Sequence, residues 1–177
     1  MTIQSPPLQQ PLKTHYTKDE LLASSMGTLF GPKRAKLPKP PMLMFDRITQ
    51  IHTEGGAFDK GYLEAELDIH PDLWFFDCHF HQDPVMPGCL GLDALWQLNG
   101  FFLTHQRHPG YGRALGVGKV SFTGEIKPHE TMITYRLDIK RIIKKPITMS
   151  IANGTVSCKN QVIYTAENLK TGIITHD

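Results

Sequence analysis

A chain of 177 residues and 20.0 kDa, 40% of it hydrophobic, is long enough for one domain with a substantial core and short for two. A formal net charge of +2 and a pI near 8.4 are too mild to imply nucleic acid, and no basic-aromatic motif adds to them. Three cysteines, Cys78, Cys89 and Cys158, form no CxxC pair, so neither a disulfide framework nor a structural zinc site is suggested, and a reducing cytoplasm fits. No basic segment followed by an apolar one marks a secretion signal, and no run reads as a membrane span.

In chain order, residues 1–15 are expected to form a tail ahead of a single domain over 16–177. Met1 to Lys13 is rich in Gln and Pro, has little apolar material to bury and predicts a disordered or loosely attached segment. Thr17-Lys18-Asp19-Glu20 is a capping box opening a short helix through Met26, with Gly27 as its stop and Leu21, Leu22 and Met26 as docking residues. Gly31 to Pro41 mixes Pro with Lys and predicts an extended loop. Met42 to Ile51 reads as a first strand and Gly55-Gly56 as a turn. Leu63, Ala65, Leu67 and Ile69 then alternate with Glu64, Glu66 and Asp68, the pattern of a half-buried strand.

The stretch from Trp74 to Leu98 gathers a histidine, a carboxylate and the longest apolar run. From Leu90 to Leu103 the apolar residues fall on every helical face, which predicts a helix enclosed on all sides. Pro87 suits the first helical turn and Gly88 permits close backbone approach, so the helix N-terminus can offer free amides to an oxygen gaining negative charge. Asp93 sits more than one turn into this apolar helix, where an unpaired carboxylate is unfavourable. Gln97, four residues on, is spaced to donate a hydrogen bond to it. Taken singly, His79 reads as a satisfied core histidine and Asp93 as a cap. Asp93 lies too deep for a cap and shares its face with a second polar group, so the functional reading is favoured for both.

Cys78-His79-Phe80-His81 with Asp83 can be drawn as a metal site. The spacing is unlike zinc patterns, however, and Cys78 and His79 would face opposite ways in a strand, so no metal is expected. Cys78 or Cys89 as a nucleophile would need the histidine on its own side.

After a break at His108-Pro109-Gly110, Ala114 to Ile126 resumes as strand, with Gly116, Gly118 and Gly124 inviting bulges. Met132 to Ile143 alternates cleanly, Lys144-Lys145-Pro146 makes a turn, and Ile147 to Lys159 and Gln161 to Asn168 supply two more strands. Asn153-Gly154 fits a hairpin turn or a bulge in one long strand. One short helix, one long buried helix and five or six mostly antiparallel strands make an α+β chain whose economical form is a curved sheet wrapped around the helix. Lys140, Arg141, Lys144 and Lys145 near a turn read as a solvated rim or as a surface for an acidic partner.

The run Leu73 to Leu98 resembles the bacterial β-hydroxydecanoyl-acyl-carrier-protein dehydratases, together with Met42-Leu43-Met44-Phe45-Asp46-Arg47, Asp59-Lys60-Gly61-Tyr62, Gly112-Arg113-Ala114-Leu115-Gly116-Val117-Gly118 and Val120-Ser121-Phe122-Thr123-Gly124. The likeness extends from about Tyr16 to Ile173. It implies a hot-dog fold, paired as a double hot-dog homodimer, with each active site taking its histidine from one subunit and its aspartate from the other. It implies dehydration of 3-hydroxyacyl chains on acyl-carrier protein and isomerisation of trans-2- to cis-3-decenoyl, in the cytoplasm and with no cofactor.

Carried over residue by residue, His79 is the general base or acid and Asp93 its partner. Gly88 is the amide donor to the thioester carbonyl, Gln97 orients Asp93, Val85 fixes the His79 tautomer through its carbonyl, and Cys78, next to His79, is a supporting residue. Apart from the resemblance, the charge of Arg141 and Lys145 makes them the candidates for contact with an acidic carrier protein. The family usually has glycine where Asp77 stands and a small apolar segment where His81-Gln82 stands, departures beside His79 that bear on isomerisation and chain length. Thioester hydrolysis on the same fold, dehydration without isomerisation, and a non-catalytic acyl-binding module are the alternatives, and the last has no need of a buried Asp93.

Overall fold

In a computed structural model, which describes residues 12–175, seven antiparallel strands curve around one long helix. The elements are α1 (Lys18–Met26), β1 (Arg47–His52), β2 (Tyr62–Asp68), α2 (Trp74–Cys78), α3 (Gly88–His105), β3 (Tyr111–Gly116), β4 (Lys119–Phe122), β5 (Met132–Ile143), β6 (Thr148–Cys158) and β7 (Gln161–Ile174). The sheet order is β1-β2-β5-β6-β7-β3, with β4 continuing alongside β7. This is the hot-dog architecture, and its wrapper is built from alternation: Ile133, Tyr135, Leu137 and Ile139 of β5 are all buried against the helix side, while Thr134, Arg136, Asp138 and Lys140 are only half-buried.

Helix α3 is enclosed on most sides, and not on all as its sequence predicts, since Leu92, Asp93, Trp96, Gln97 and Gly100 are only half-buried. Ala94, Leu95, Leu98 and Phe102 are completely or almost completely buried. Close approach to the sheet needs two glycines: a Cβ on Gly91 would meet the Tyr164 ring at 2.8 Å, and one on Gly154 would meet Leu95 Cδ1 at 2.8 Å. Gly154 also settles the open choice in β6. The register slips between Ala152 and Gly154, so Asn153-Gly154 is a bulge in one strand, and the Asn153 side chain accepts the Asn168 amide at 3.0 Å.

Several expectations need correcting. α1 opens on Thr17, whose amide donates to Glu20 at 2.9 Å, and stops at Gly27 with φ 79°, yet Met26 is 58% exposed and docks nothing. β1 begins only at Arg47, because Met42 to Asp46 is irregular chain committed to holding α3. Trp74 to Cys78 is a helical turn, so the strand geometry used to separate Cys78 from His79 does not apply. Ala114 to Ile126 is two strands, broken where Gly118 lies against the Glu167 carbonyl, and the first begins at Tyr111. β7 runs past Asn168 to Ile174, since the positive φ of 55° there interrupts the alternation without ending the ladder. The expected tail falls mostly outside the described residues. Within them, Thr14 accepts the Ile51 amide at 2.9 Å, and Tyr16 pairs with Ile48.

Candidate active site

His79 stands where α2 ends, on a loop that α3 and the chain before β5 hold closed. Phe80 and Asp83 exchange backbone hydrogen bonds at 3.0 and 3.1 Å, Lys127 donates to Asp83 at 2.7 Å, and the Met86 amide donates to Ile126 at 2.9 Å. Asp83 and Glu125 together raise the Lys127 ammonium above its ordinary range. His79 and Val85 form a reciprocal pair: Val85 N donates to the His79 carbonyl at 2.7 Å, and His79 Nδ1 lies 2.8 Å from the Val85 carbonyl. A carbonyl only accepts, so Nδ1 carries a proton, and in the neutral ring Nε2 holds the free lone pair. The Phe80 ring lies 3.7 Å from the imidazole, tilted by 31°.

Asp93 is half-buried on α3, and Gln97 Nε2 donates to its Oδ2 at 2.6 Å, the contact that their four-residue spacing predicts. Gln97 is itself clamped, since it donates to the Met42 carbonyl at 2.7 Å and accepts the Met44 amide at 3.2 Å. This clamp explains the irregular, largely buried course of Met42 to Asp46. The sequence reading missed it because the partners lie 53 and 55 residues apart.

At the start of α3, the Gly88 amide finds no acceptor among the described residues, as the first turn of a helix leaves it. A Cβ here would meet the Phe122 ring at 2.9 Å, so glycine is what allows Phe122 to close over the helix end. Pro87 caps the helix from just outside it.

A groove of about 230 Å³ runs beside α3, lined by Asp93, Trp96 and Gln97 at one end and by Thr104, Gly112 and Lys36 among others further along. His79 does not line it, and no hydrogen bond joins His79 to Asp93 within one chain among the described residues. Cys78 is exposed, its thiol 3.7 Å from the Trp74 and Phe75 carbonyls. Arg141 and Lys145 are exposed at the end of β5 and in the turn after it, and neither lines the groove. Its cations are Lys36 and Arg113, which the sequence reading did not single out. Among the described residues no three of the His, Cys, Asp and Glu side chains converge as metal ligands, and no helix is long and apolar enough to cross a membrane.

A curved antiparallel sheet around one helix, with a histidine before the helix and a clamped carboxylate on it, defines a hot-dog protein. The chain belongs to the FabA-like domain family, whose model matches residues 37–167. Solved structures of similar fold include the dehydratase heterocomplex ApeI:P from Xenorhabdus doucetiae, with a TM-score of 0.56, 15% identity, and 77% of this chain and 86% of that one covered. An uncharacterised protein from Pyrococcus horikoshii is similar at a TM-score of 0.55 and 14% identity, over 82% of this chain and 94% of the other. AziG from S. sahachiroi follows at 0.51 and 7%, over 73% and 90%.

Proposed function

We propose that the protein dehydrates 3-hydroxyacyl thioesters carried on acyl-carrier protein to trans-2-enoyl thioesters, and isomerises trans-2-decenoyl to cis-3-decenoyl, in unsaturated fatty acid synthesis. The observation that carries the reading is the His79–Val85 pair, which leaves Nε2 as the free ring nitrogen on the loop that leads into a helix start with an unused amide. In this reading the protein is a homodimer, and His79 of one protomer works with Asp93 of the other on one acyl group.

His79 Nε2 takes the proton from C2 while the Gly88 amide donates to the thioester oxygen that gains charge. The C3–O bond breaks, the Asp93 carboxyl gives its proton to the departing hydroxyl, water leaves, and the C2–C3 double bond forms. The histidinium proton then passes back to the carboxylate, which resets both groups. For isomerisation His79 removes a proton from C4 and returns one to C2, so the double bond moves without any redox change. Gln97 holds the carboxyl of Asp93 at one angle throughout.

The test follows 2-enoyl formation by its absorbance from a 3-hydroxydecanoyl thioester, with chromatography of the decenoyl products. The reading expects the trans-2 and then the cis-3 product. Release of free thiol without an enoyl product would replace it with thioester hydrolysis, and tight acyl binding without turnover would replace it with a binding module.

A further inference from the structure

The groove beside α3 has a gradient of charge along its length. Asp93 is the one acid among its lining residues, and Lys36 and Arg113 are its cations. Their position follows from the packing. Trp96 Nε1 donates to the Gly116 carbonyl at 3.3 Å, a Cβ on Gly100 would meet the Thr171 methyl group at 3.5 Å, and Thr171 pairs with Ala114. β3 therefore runs antiparallel to α3, which sets Arg113 level with Gly100 to Thr104, about 10–16 Å along the helix from Asp93. Lys36 follows Ala35, whose methyl group a Cβ on Gly112 would meet at 3.6 Å, so both cations belong to the same end of the groove.

Residues 21–45 and 94–124 contain no Asp or Glu. Among the described residues neither Lys36 nor Arg113 makes an ion pair, and the Arg113 guanidinium donates to the neighbouring Gly112 carbonyl at 2.8 Å. The stem of Lys36 crosses Gly27, where a Cβ would meet its Cε at 2.5 Å, so the bare end of α1 fixes the path of that side chain. An anion of fixed reach from the reacting carbon fits such a rim. The roughly 13 bonds between phosphorus and sulfur in a 4′-phosphopantetheine arm, advancing about 1.2 Å each as an extended peptide does, span about 16 Å.

We propose that Lys36 and Arg113 clasp the phosphate of a 4′-phosphopantetheine arm laid along α3, with its thioester at Asp93. The inference rests on the dehydratase reading and deepens it by assigning the end of the groove that measures the arm. The simpler role for Lys36 is to interact favourably with the negative end of the α1 dipole. That role predicts a lower melting temperature in K36Q and no change in KM.

The experiment compares 3-hydroxydecanoyl thioesters of 4′-phosphopantetheine, of pantetheine lacking the phosphate, and of N-acetylcysteamine. In the wild type, removing the phosphate raises KM roughly 10-fold with kcat unchanged. K36Q and R113Q each raise KM for the phosphorylated arm roughly 5-fold, the scale of an exposed charge contact, and narrow its advantage over plain pantetheine. Equal KM values for the two arms in the wild type would overturn the clasp without needing any variant, and so would a K36Q defect of the same size on both arms. A lower melting temperature alone would return Lys36 to helix capping. Carrier protein and coenzyme A both present the group, and a defect with both supports a phosphate site, whereas a defect with carrier alone overturns it in favour of a protein contact. The N-acetylcysteamine thioester lacks the phosphate, so failure to dehydrate it sinks the dehydratase reading, and its turnover with an indifferent rim sinks only the clasp.

Discussion

At the scale of single residues, the chemistry asks for a base that faces one way and an acid that cannot wander. His79 and Asp93 are held by different parts of the chain, the first by Val85 and the second by Gln97. His79→Ala and Asp93→Ala should each lower kcat/KM by roughly 10²–10⁴-fold, as expected for loss of a general base or acid, with circular dichroism and thermal melting little changed. Gln97→Leu keeps the volume of the side chain but frees the carboxylate and breaks the bonds to Met42 and Met44. It should lower kcat more than it raises KM, and a KM-only defect would remove Gln97 from its positioning role. The Asp93–Gln97 contact was legible in the sequence because four residues is one helical turn. The clamp from Met42 and Met44 was not, since a segment rich in Met, Leu and Phe reads as strand unless one knows that its polar backbone groups face a glutamine on α3.

Elements are held to one another by a buried polar contact that the proposed chemistry does not use. His105, at the end of α3, shares a 2.8 Å hydrogen bond with Tyr16, and both are buried among Phe30 and Phe101. Burial first, and then Arg107, lowers the His105 pKa to about 4, while burial and Glu20 push the Tyr16 hydroxyl up to about 12. His105 is therefore neutral in the fold and takes a proton more readily when unfolded. Between the unfolded value near 6.5 and the folded value near 4 the unfolded chain binds more protons, so stability is present above this window and falls as pH drops through it. His105→Gln should flatten the pH dependence of urea unfolding between pH 4 and 6.5 by about 1–3 kcal/mol. An unchanged slope would separate the acid sensitivity from this contact. Strand alternation made β2 and β5 readable in advance, whereas the split of β3 from β4 and the bulge at Asn153 depend on how neighbouring strands meet, which periodicity in one segment does not encode.

For the molecule as a whole, a curved sheet around a helix was inferable from one largely apolar helix and a majority of alternating strands, and the hot-dog fold itself was implied by the family resemblance. The loop carrying Lys36 and the strand carrying Arg113 meet only in three dimensions, and the sequence reading named Arg141 and Lys145 as the contact for a carrier protein. Those two residues retain a separate expected role at the surface. Charge reversal of both should raise KM for a carrier-linked substrate and weaken its salt dependence, with short thioester mimics unaffected, as long-range attraction of an acidic carrier requires. Equal effects on both substrates would end that assignment.

In one chain His79 and Asp93 do not meet by hydrogen bond, and the groove holding the carboxylate excludes the imidazole, so the reading needs a second copy to complete each site. Mixed dimers test this directly. When His79→Ala and Asp93→Ala chains, each inactive alone, are co-expressed in equal amounts, every mixed dimer rebuilds one intact site. The account predicts about a quarter of wild-type turnover if the chains pair at random in a two-fold dimer. Turnover no higher than that of the separate variants, in preparations shown by tandem tags to contain mixed dimers, would contradict it.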